Sequence, residues 1–320
     1  MYVIFDTNAT REYVAKINED QIDEFATINS EKLDKQNIKL LLSPIVMMEL
    51  LYHISDKSDP HFNISYKSLK AIFLTQEKQN ITLPNHYMAA PENLIANDLF
   101  KMKIDTREEM YSRIMYNCKL IAHNTIGNLP DLQIEGGGTI RSYIDEIEES
   151  FANQVDSLIV TNFDRIAKLK NTNIKEILNS DHGDFALSLY IIRTTYTLLA
   201  KEGKIPYLQD NMESPFNPKT MEKVRETKKQ CIYISSRYPA FLSLFKEVIN
   251  RFIDSGKEMK KEKLKNYIWD ILLMFNVSNL TMNGEDIIFV TSDKAMLLAA
   301  QKVDSRLTIL TLNEFKEKYL

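Results

Sequence analysis

Four acidic residues, Asp6, Glu49, Asp270 and Asp293, each end or interrupt a stretch that is otherwise strongly apolar. Asp6 closes the run Met1-Tyr-Val-Ile-Phe5, and Asp293 follows Ile287-Ile-Phe-Val-Thr-Ser292, so both read as residues at the C-terminal tips of buried strands. Glu49 is the lone charge in Ile45-Val-Met-Met-Glu-Leu-Leu-Tyr-His-Ile54, and Asp270 holds the same position in Tyr267-Ile-Trp-Asp-Ile-Leu-Leu-Met-Phe275. A carboxylate in such a helix is costly to bury without a partner, and a metal ion is one of the few adequate partners. Hard oxygen ligands of this kind suit Mg²⁺ or Mn²⁺, which can lower the pKa of a bound water and neutralise a phosphate. Without a cation the four would repel one another, and some of their pKa values would rise. Each also has a plain structural role open to it. Asp6 and Asp293 can cap the helices that follow, Glu49 can pair with a lysine, and Asp270 can complement a helix dipole.

These acids require elements that bring both chain ends together. The first sixty residues read as strand 1–5, helical material over about 10–35, a second apolar run Ile38 to Leu42, and a helix opened by Ser43-Pro44. Near the other end, a helix carrying Asp270 precedes the strand that leads to Asp293. A helix from Lys294, a strand over Arg306 to Thr311 and a helix Glu314 to Leu320 capped by Asn313 then follow. Strands alternating with helices predict an α/β fold with a parallel or mostly parallel sheet, and such sheets place ligands at strand tips. Between the ends, Asp145 to Leu169, Phe185 to Lys201 and Phe241 to Ile253 carry apolar residues at helical spacing. Asn80 to Pro91, Gly136-Gly-Gly138 and Pro206 to Pro218 break this pattern. The expected architecture is a discontinuous domain of residues 1–60 and 262–320, interrupted by a mainly α-helical insertion over 61–261.

Composition narrows the chemistry. The chain of 320 residues has 44% hydrophobic and 26% charged residues, a globular balance. Its net charge of −4 gives no global polycation, so contact with nucleic acid must come from local patches. Two cysteines are too few for a disulfide framework or a zinc site, which points to a reduced compartment. Neither GxxxxGK[ST] nor GxGxxG occurs among the eight glycines, which argues against nucleotide-driven chemistry. No apolar run approaches the roughly 18 residues of a membrane span, and the N-terminus enters a strand pattern at once, so a cytoplasmic protein is expected.

The motifs Val3-Ile-Phe-Asp6-Thr-Asn8, Ser43-Pro-Ile-Val-Met-Met-Glu49-Leu-Leu51 and Phe289-Val-Thr-Ser-Asp293-Lys, with Leu307-Thr-Ile-Leu-Thr-Leu-Asn-Glu-Phe315, occur in the order seen in PIN-like domain nucleases. The chain resembles that family over residues 1–60 and 262–320, and the resemblance stops at the insertion. It implies a Rossmann-like sheet with a Mg²⁺- or Mn²⁺-dependent phosphodiesterase site, usually cutting RNA and sometimes structured DNA. Asp6, Glu49 and Asp293 match the family's first, second and last acids. Asp270 is taken as the third, although 23 positions separate it from Asp293 and the stretch Asn279 to Glu285 must then serve as an extra loop. Asn8 and Ser292 match polar positions beside the acids, where they would orient a carboxylate or a metal-bound water.

A rival constellation, Ser180-Asp-His-Gly-Asp184, reads first as a loop and helix cap. Asp181, His182 or Asp184 could instead reach the acidic pocket as an auxiliary ligand or proton-transfer group, and could replace Asp270. His53, His61, His86 and His123 show no ligand spacing. Two basic stretches, one containing Lys228 and Lys229 and the other Lys260 and Lys261, read first as solvated helix faces and are also candidates for phosphate contact. The expectation is therefore a metal-dependent endonuclease acting on nucleic acid, RNA in preference to DNA. A homo-oligomer or a regulatory protein partner is compatible with it. A non-catalytic scaffold and a metal-dependent phosphatase are the alternatives.

Overall fold

The computed structural model describes residues 1–79, 91–130, 132, 139–158, 163–207, 219–255, 264–265, 267–277, 281–282, 285–303 and 308–320. From the N-terminus come β1 (Tyr2–Phe5), α1 (Thr7–Val14), α2 (Ile22–Lys35), β2 (Lys39–Leu40), α3 (Pro44–Ile54) and α4 (Phe62–Lys78). A helical stretch follows, with α5 (Pro91–Ile95), α6 (Asp105–Ala122), α7 (Ile140–Ser157), α8 (Arg165–Lys170), α9 (Ile174–Leu178), α10 (Asp181–Lys201), α11 (Met221–Arg237) and α12 (Pro239–Asp254). The chain ends with α13 (Tyr267–Leu273), β3 (Thr281–Met282), β4 (Glu285–Val290), α14 (Lys294–Val303), β5 (Ile309–Leu310) and α15 (Leu312–Tyr319). The fold is α/β with a small parallel sheet and a large helical part. No helix among the described residues is long and apolar enough to cross a membrane.

The sheet explains why the two chain ends meet. β1 lies between β2 and β4, and β4 between β1 and β5, all four parallel. Tyr2 is opposite Ile287 and Phe5 opposite Val290, so both strands end at the same level. All four residues of β1 and Ile287 to Val290 are buried, as expected of parallel strands covered on both faces. The chain leaves β1 toward β2 on one side and β4 toward β5 on the other. The crevice beyond the ends of β1 and β4 is therefore a topological switch point, where open sheets bind ligands.

α3 is the central helix. It is apolar nearly all round, and its buried face contacts α1, α4, α6, α7 and α13, so the sheet layer and the helical part share one hydrophobic core. α4 falls in the expected insertion by residue number, yet it packs on α1, α2 and α3. α12 likewise rests on α14 from the C-terminal segment.

Several elements differ from their sequence signals. β2 and β5 shrink to two residues each, because each pairs along one side only and, in the first case, Ser43-Pro44 already starts α3. The stretch expected as a loop after Asn279 contains β3, which pairs antiparallel with the start of β4. The apolar periodicity over Asp145 to Leu169 divides into α7 and α8, and α7 begins at Ile140 behind a Thr139–Ser142 capping box. Asn313 does not cap the last helix. Thr311 does so through a reciprocal capping box with Glu314, with Glu314 N donating to Thr311 Oγ1 at 3.2 Å and Thr311 N to Glu314 Oε2 at 2.7 Å. α10 starts at Asp181, four residues ahead of its apolar pattern, because Ser180 Oγ accepts from His182 N. Gly136 to Gly138 and most of Asn80 to Pro91 and Pro206 to Pro218 lie outside the described residues.

Gly183 shows why that helix start needs glycine. A Cβ placed on it would lie 1.8 Å from the Leu178 carbonyl oxygen, a backbone atom at the end of α9 that cannot swing away. Gly183→Ala should lower stability by roughly 1–3 kcal/mol through overpacking, read as a melting-temperature drop of several degrees. An unchanged melting temperature would contradict this close approach.

Candidate functional site: an acidic crevice at the strand switch point

Asp6 is the most buried of the four acids, 3% exposed. Its extended backbone ends β1, and it N-caps α1, with Oδ1 accepting from Ala9 N at 2.5 Å. Its Oδ2 accepts from the fully buried Thr291 hydroxyl, and its amide donates to Val290 O at 2.9 Å across the strand pair. Capping and clustering are thus simultaneous roles of one residue. Asp293 repeats the arrangement after β4, with Oδ1 accepting from Ala295 N at 2.6 Å and Met296 N at 3.0 Å. Thr291 links the two acids, because its Oγ1 also accepts from Asp293 N at 2.9 Å.

Glu49 faces α1 from α3, where Thr7 Oγ1 donates to its Oε2 at 2.5 Å. Arg11 lies four residues beyond Thr7 on the same helix, and its charge acts on both Glu49 and Asp6. One guanidinium nitrogen, Nη2, donates to Ser65 Oγ at 3.2 Å, while its buried Nε meets no described acceptor. Asp270, half-buried on α13, receives no hydrogen bond from a described residue.

The four carboxylates share one electrostatic environment. Burial raises Asp6 to about 7, against the Thr291 and Ala9 hydrogen bonds that favour its ionised form, and the charges of Glu49 and Asp293 add to the rise. Burial, then the charges of Asp293, Glu49 and Asp6, raise Asp270 to about 8. Glu49 is also raised by burial, opposed by its Thr7 hydrogen bond and by Arg11. The cluster therefore carries more negative charge than Arg11 offsets.

Sequence reasoning missed three participants. Thr291, not Ser292, is the hydroxyl on the acids. Ser292 Oγ donates to Glu12 Oε2 at 2.6 Å, because successive residues at a strand end point to opposite sides. Arg11 carried only an i, i+4 relation to Thr7 as a signal. Glu148 on α7 adds a further charge that raises Glu49 and accepts from Trp269 Nε1 at 2.7 Å. The signal for Glu148 was indirect: a buried tryptophan beside Asp270 needs an acceptor for its N–H.

The remaining candidates lie apart or face outward. Asn8 is exposed on α1. Asp181 and His182 are exposed at the start of α10, where His182 contacts Lys170, and Asp184 pairs with Lys246 at 2.7 Å. That triplet is occupied by capping and pairing, and the charges acting on Asp6, Glu49 and Asp270 come from elsewhere. His53 pairs with Asp59 at 3.0 Å and His123 with Glu77 at 3.0 Å. Lys228 and Lys229 are exposed on α11, while Lys260, Lys261 and His86 lie outside the described residues.

The donor set is made wholly of hard oxygens, which fits Mg²⁺ or Mn²⁺ in chemistry and in sign of charge. Glu49 Oε1, Asp293 Oδ2 and both Asp270 oxygens take no hydrogen bond from a described donor. The set is not a preformed cage. Among the described residues no three His, Cys, Asp or Glu side chains stand close enough to hold an ion as they are. No family model, curated protein or solved structure matches this chain.

Because Asp6 and Asp270 hold protons to about 7 and about 8 in the folded state, against an ordinary 3.8, the native protein binds more protons than the unfolded chain between those values. Stability should therefore fall as pH rises from about 4 to about 8 in EDTA. Asp270→Asn should flatten that slope and melt several degrees above the unsubstituted protein at the alkaline end. Parallel pH profiles for the two proteins would contradict the shared-charge description.

Proposed function

We propose that this chain is a metal-dependent endonuclease that hydrolyses phosphodiester bonds, RNA in preference to DNA. What supports this reading is that the charges of Asp6, Glu49 and Asp293, from three different elements, all act on Asp270, with Asp6 and Asp293 at the paired ends of β1 and β4. In this reading the sheet is Rossmann-like and PIN-like, built from residues 1–60 and 262–320, and residues 61–261 are a helical insertion that limits access to the acids. The RNA preference rests on the resemblance in motif order.

Asp6 and Asp293 would be the principal ligands, since helix caps and Thr291 fix them at the strand ends. Glu49 and Asp270 would complete the set, directly or through water. A bound Mg²⁺ or Mn²⁺ would supply Lewis acidity, an activated water and neutralisation of the scissile phosphate. The chain's own contribution is placement. Thr7 orients Glu49 by its hydrogen bond, and Arg11 limits the repulsion that Glu49 feels. Thr291 keeps Asp6 and Asp293 in register by accepting from one backbone and donating to the other carboxylate. Lys228 and Lys229, with Lys260 and Lys261, are the proposed phosphate-tracking residues.

A non-catalytic use of the fold has one observation in its favour, the absence of a preformed ion cage among the described residues. Cleavage of labelled single-stranded RNA, structured RNA, single-stranded DNA and flap DNA with Mn²⁺, Mg²⁺ or EDTA separates the two readings. Metal-dependent cutting, strongest on RNA and reduced at least about 100-fold in Asp6→Asn and Asp293→Asn, is the expected result. Full activity in both variants, or no cutting of any substrate, would overturn the nuclease reading.

A further inference from the structure

Arg11 lies beside the acids without pairing to any of them. The charges of Glu49, Asp59 and Asp6 act on its half-buried guanidinium, yet none of the three forms an ion pair with it among the described residues. Asp59 is engaged elsewhere, by His53 Nδ1 at 3.0 Å and Arg141 Nη2 at 3.4 Å. Thr7, one turn before Arg11 on the same face of α1, donates to Glu49, so that face of the helix is turned toward the crevice.

The donors of Arg11 are mostly unspent. Nη2 donates to the Ser65 hydroxyl of α4 at 3.2 Å, and Ser65 is fully buried, so one arm of the fork is held in place. Nε is buried, so the nitrogen a ligand can reach is Nη1, which has no described partner and is not enclosed. A half-buried guanidinium that touches one neutral hydroxyl and no carboxylate has given up water without gaining a counter-ion in contact, which favours an anion at Nη1.

We propose that Arg11 holds the substrate's phosphate group in the crevice, with Nη1 donating to a non-bridging oxygen. The proposal rests on the reading of the four acids as a metal-dependent phosphodiesterase site. A planar fork of N–H donors matches the oxygens of a phosphate. A phosphate can at the same time share a hard divalent cation with carboxylates, so one ligand group serves Arg11 and the loaded acids together.

A role limited to offsetting the acids makes a different forecast. Loss of Arg11 would then strengthen Mn²⁺ binding, because a repelling charge is gone, and leave phosphate binding to the loaded protein nearly as it was. If Arg11 holds phosphate, its loss preserves or strengthens Mn²⁺ binding while phosphate binding falls. The same chemistry is offered by a nucleic-acid backbone and by a small phosphorylated molecule, so probes of both kinds enter the test.

The test is calorimetric titration of the full chain in Mg²⁺ near pH 7 with inorganic phosphate, uridine 5′-monophosphate and ribose 5-phosphate. Inorganic phosphate should bind saturably, about tenfold or more weaker in Arg11→Met, with Arg11→Lys in between. Ser65→Ala, which keeps the guanidinium but frees its fork, should weaken phosphate about threefold, and it decides the matter if Arg11→Met does not melt cooperatively. Tighter binding of the nucleotide assigns the phosphate to nucleic acid and tighter binding of ribose 5-phosphate to a small molecule; either order upholds the site. No saturable phosphate binding by the unsubstituted protein overturns the proposal, as does undiminished binding by folded Arg11→Met. Phosphate binding that depends on Arg11, in a protein that cuts no nucleic acid, upholds the proposal and overturns the nuclease reading alone.

Discussion

The structure turns on a shortage of positive charge at one edge of a small parallel sheet. Four carboxylates lie within electrostatic reach of one another around the ends of β1 and β4, and the charge of Arg11 acts with those of Asp6 and Glu49. Burial and the charges of neighbouring acids act in the same direction on Asp6 and Asp270, and burial with the charge of Glu148 does so on Glu49. Asp6 tolerates its position because Ala9 N–H and the Thr291 hydroxyl serve both of its oxygens, whereas Asp270 has neither. Among the described residues no three acidic, histidine or cysteine side chains stand close enough to hold an ion as they are.

The fold makes this arrangement possible by bringing both chain ends into adjacent strands. Parallel pairing of β1 with β4 sets Phe5 opposite Val290, so the residues that follow each strand emerge side by side and begin helices there. α3 completes the crevice. Its apolar surface packs against α4, α6, α7 and α13, which leaves Glu49 turned toward α1. α13 packs on α3, with Trp269 anchored to Glu148 and Asp270 within electrostatic reach of the other acids. The helical part of the chain thereby contributes Glu148 to the charge around Glu49.

Much of this was legible in the sequence because a single charge in an apolar run is conspicuous. Asp6 and Asp293 followed strand-like segments, and Glu49 and Asp270 interrupted helices, so their shared surroundings could be anticipated from local pattern alone. The partners were harder to read. Arg11 is one of many basic residues, Thr291 resembles its neighbour Ser292, and Glu148 sits in an acidic run on an amphipathic helix. Their roles depend on which residues face one another across elements far apart in the chain, which neither periodicity nor propensity reports. Boundaries failed where capping chemistry overrode hydrophobic spacing, as at Ser180 and Thr311. A cavity of about 590 Å³ in the helical part left no sequence signal, since its lining comes from α5, α6, α7, α10, α12 and α13.

The most direct test of the central claim is calorimetric titration of Mn²⁺ into the full chain near pH 7, in two buffers that differ in ionisation enthalpy. If the acids form one cation-binding cluster with raised pKa values, binding will be saturable, will release protons, and will lose most of that proton release in Asp270→Asn. Absence of saturable binding, or binding with no proton release and no change in Asp270→Asn, would contradict the account.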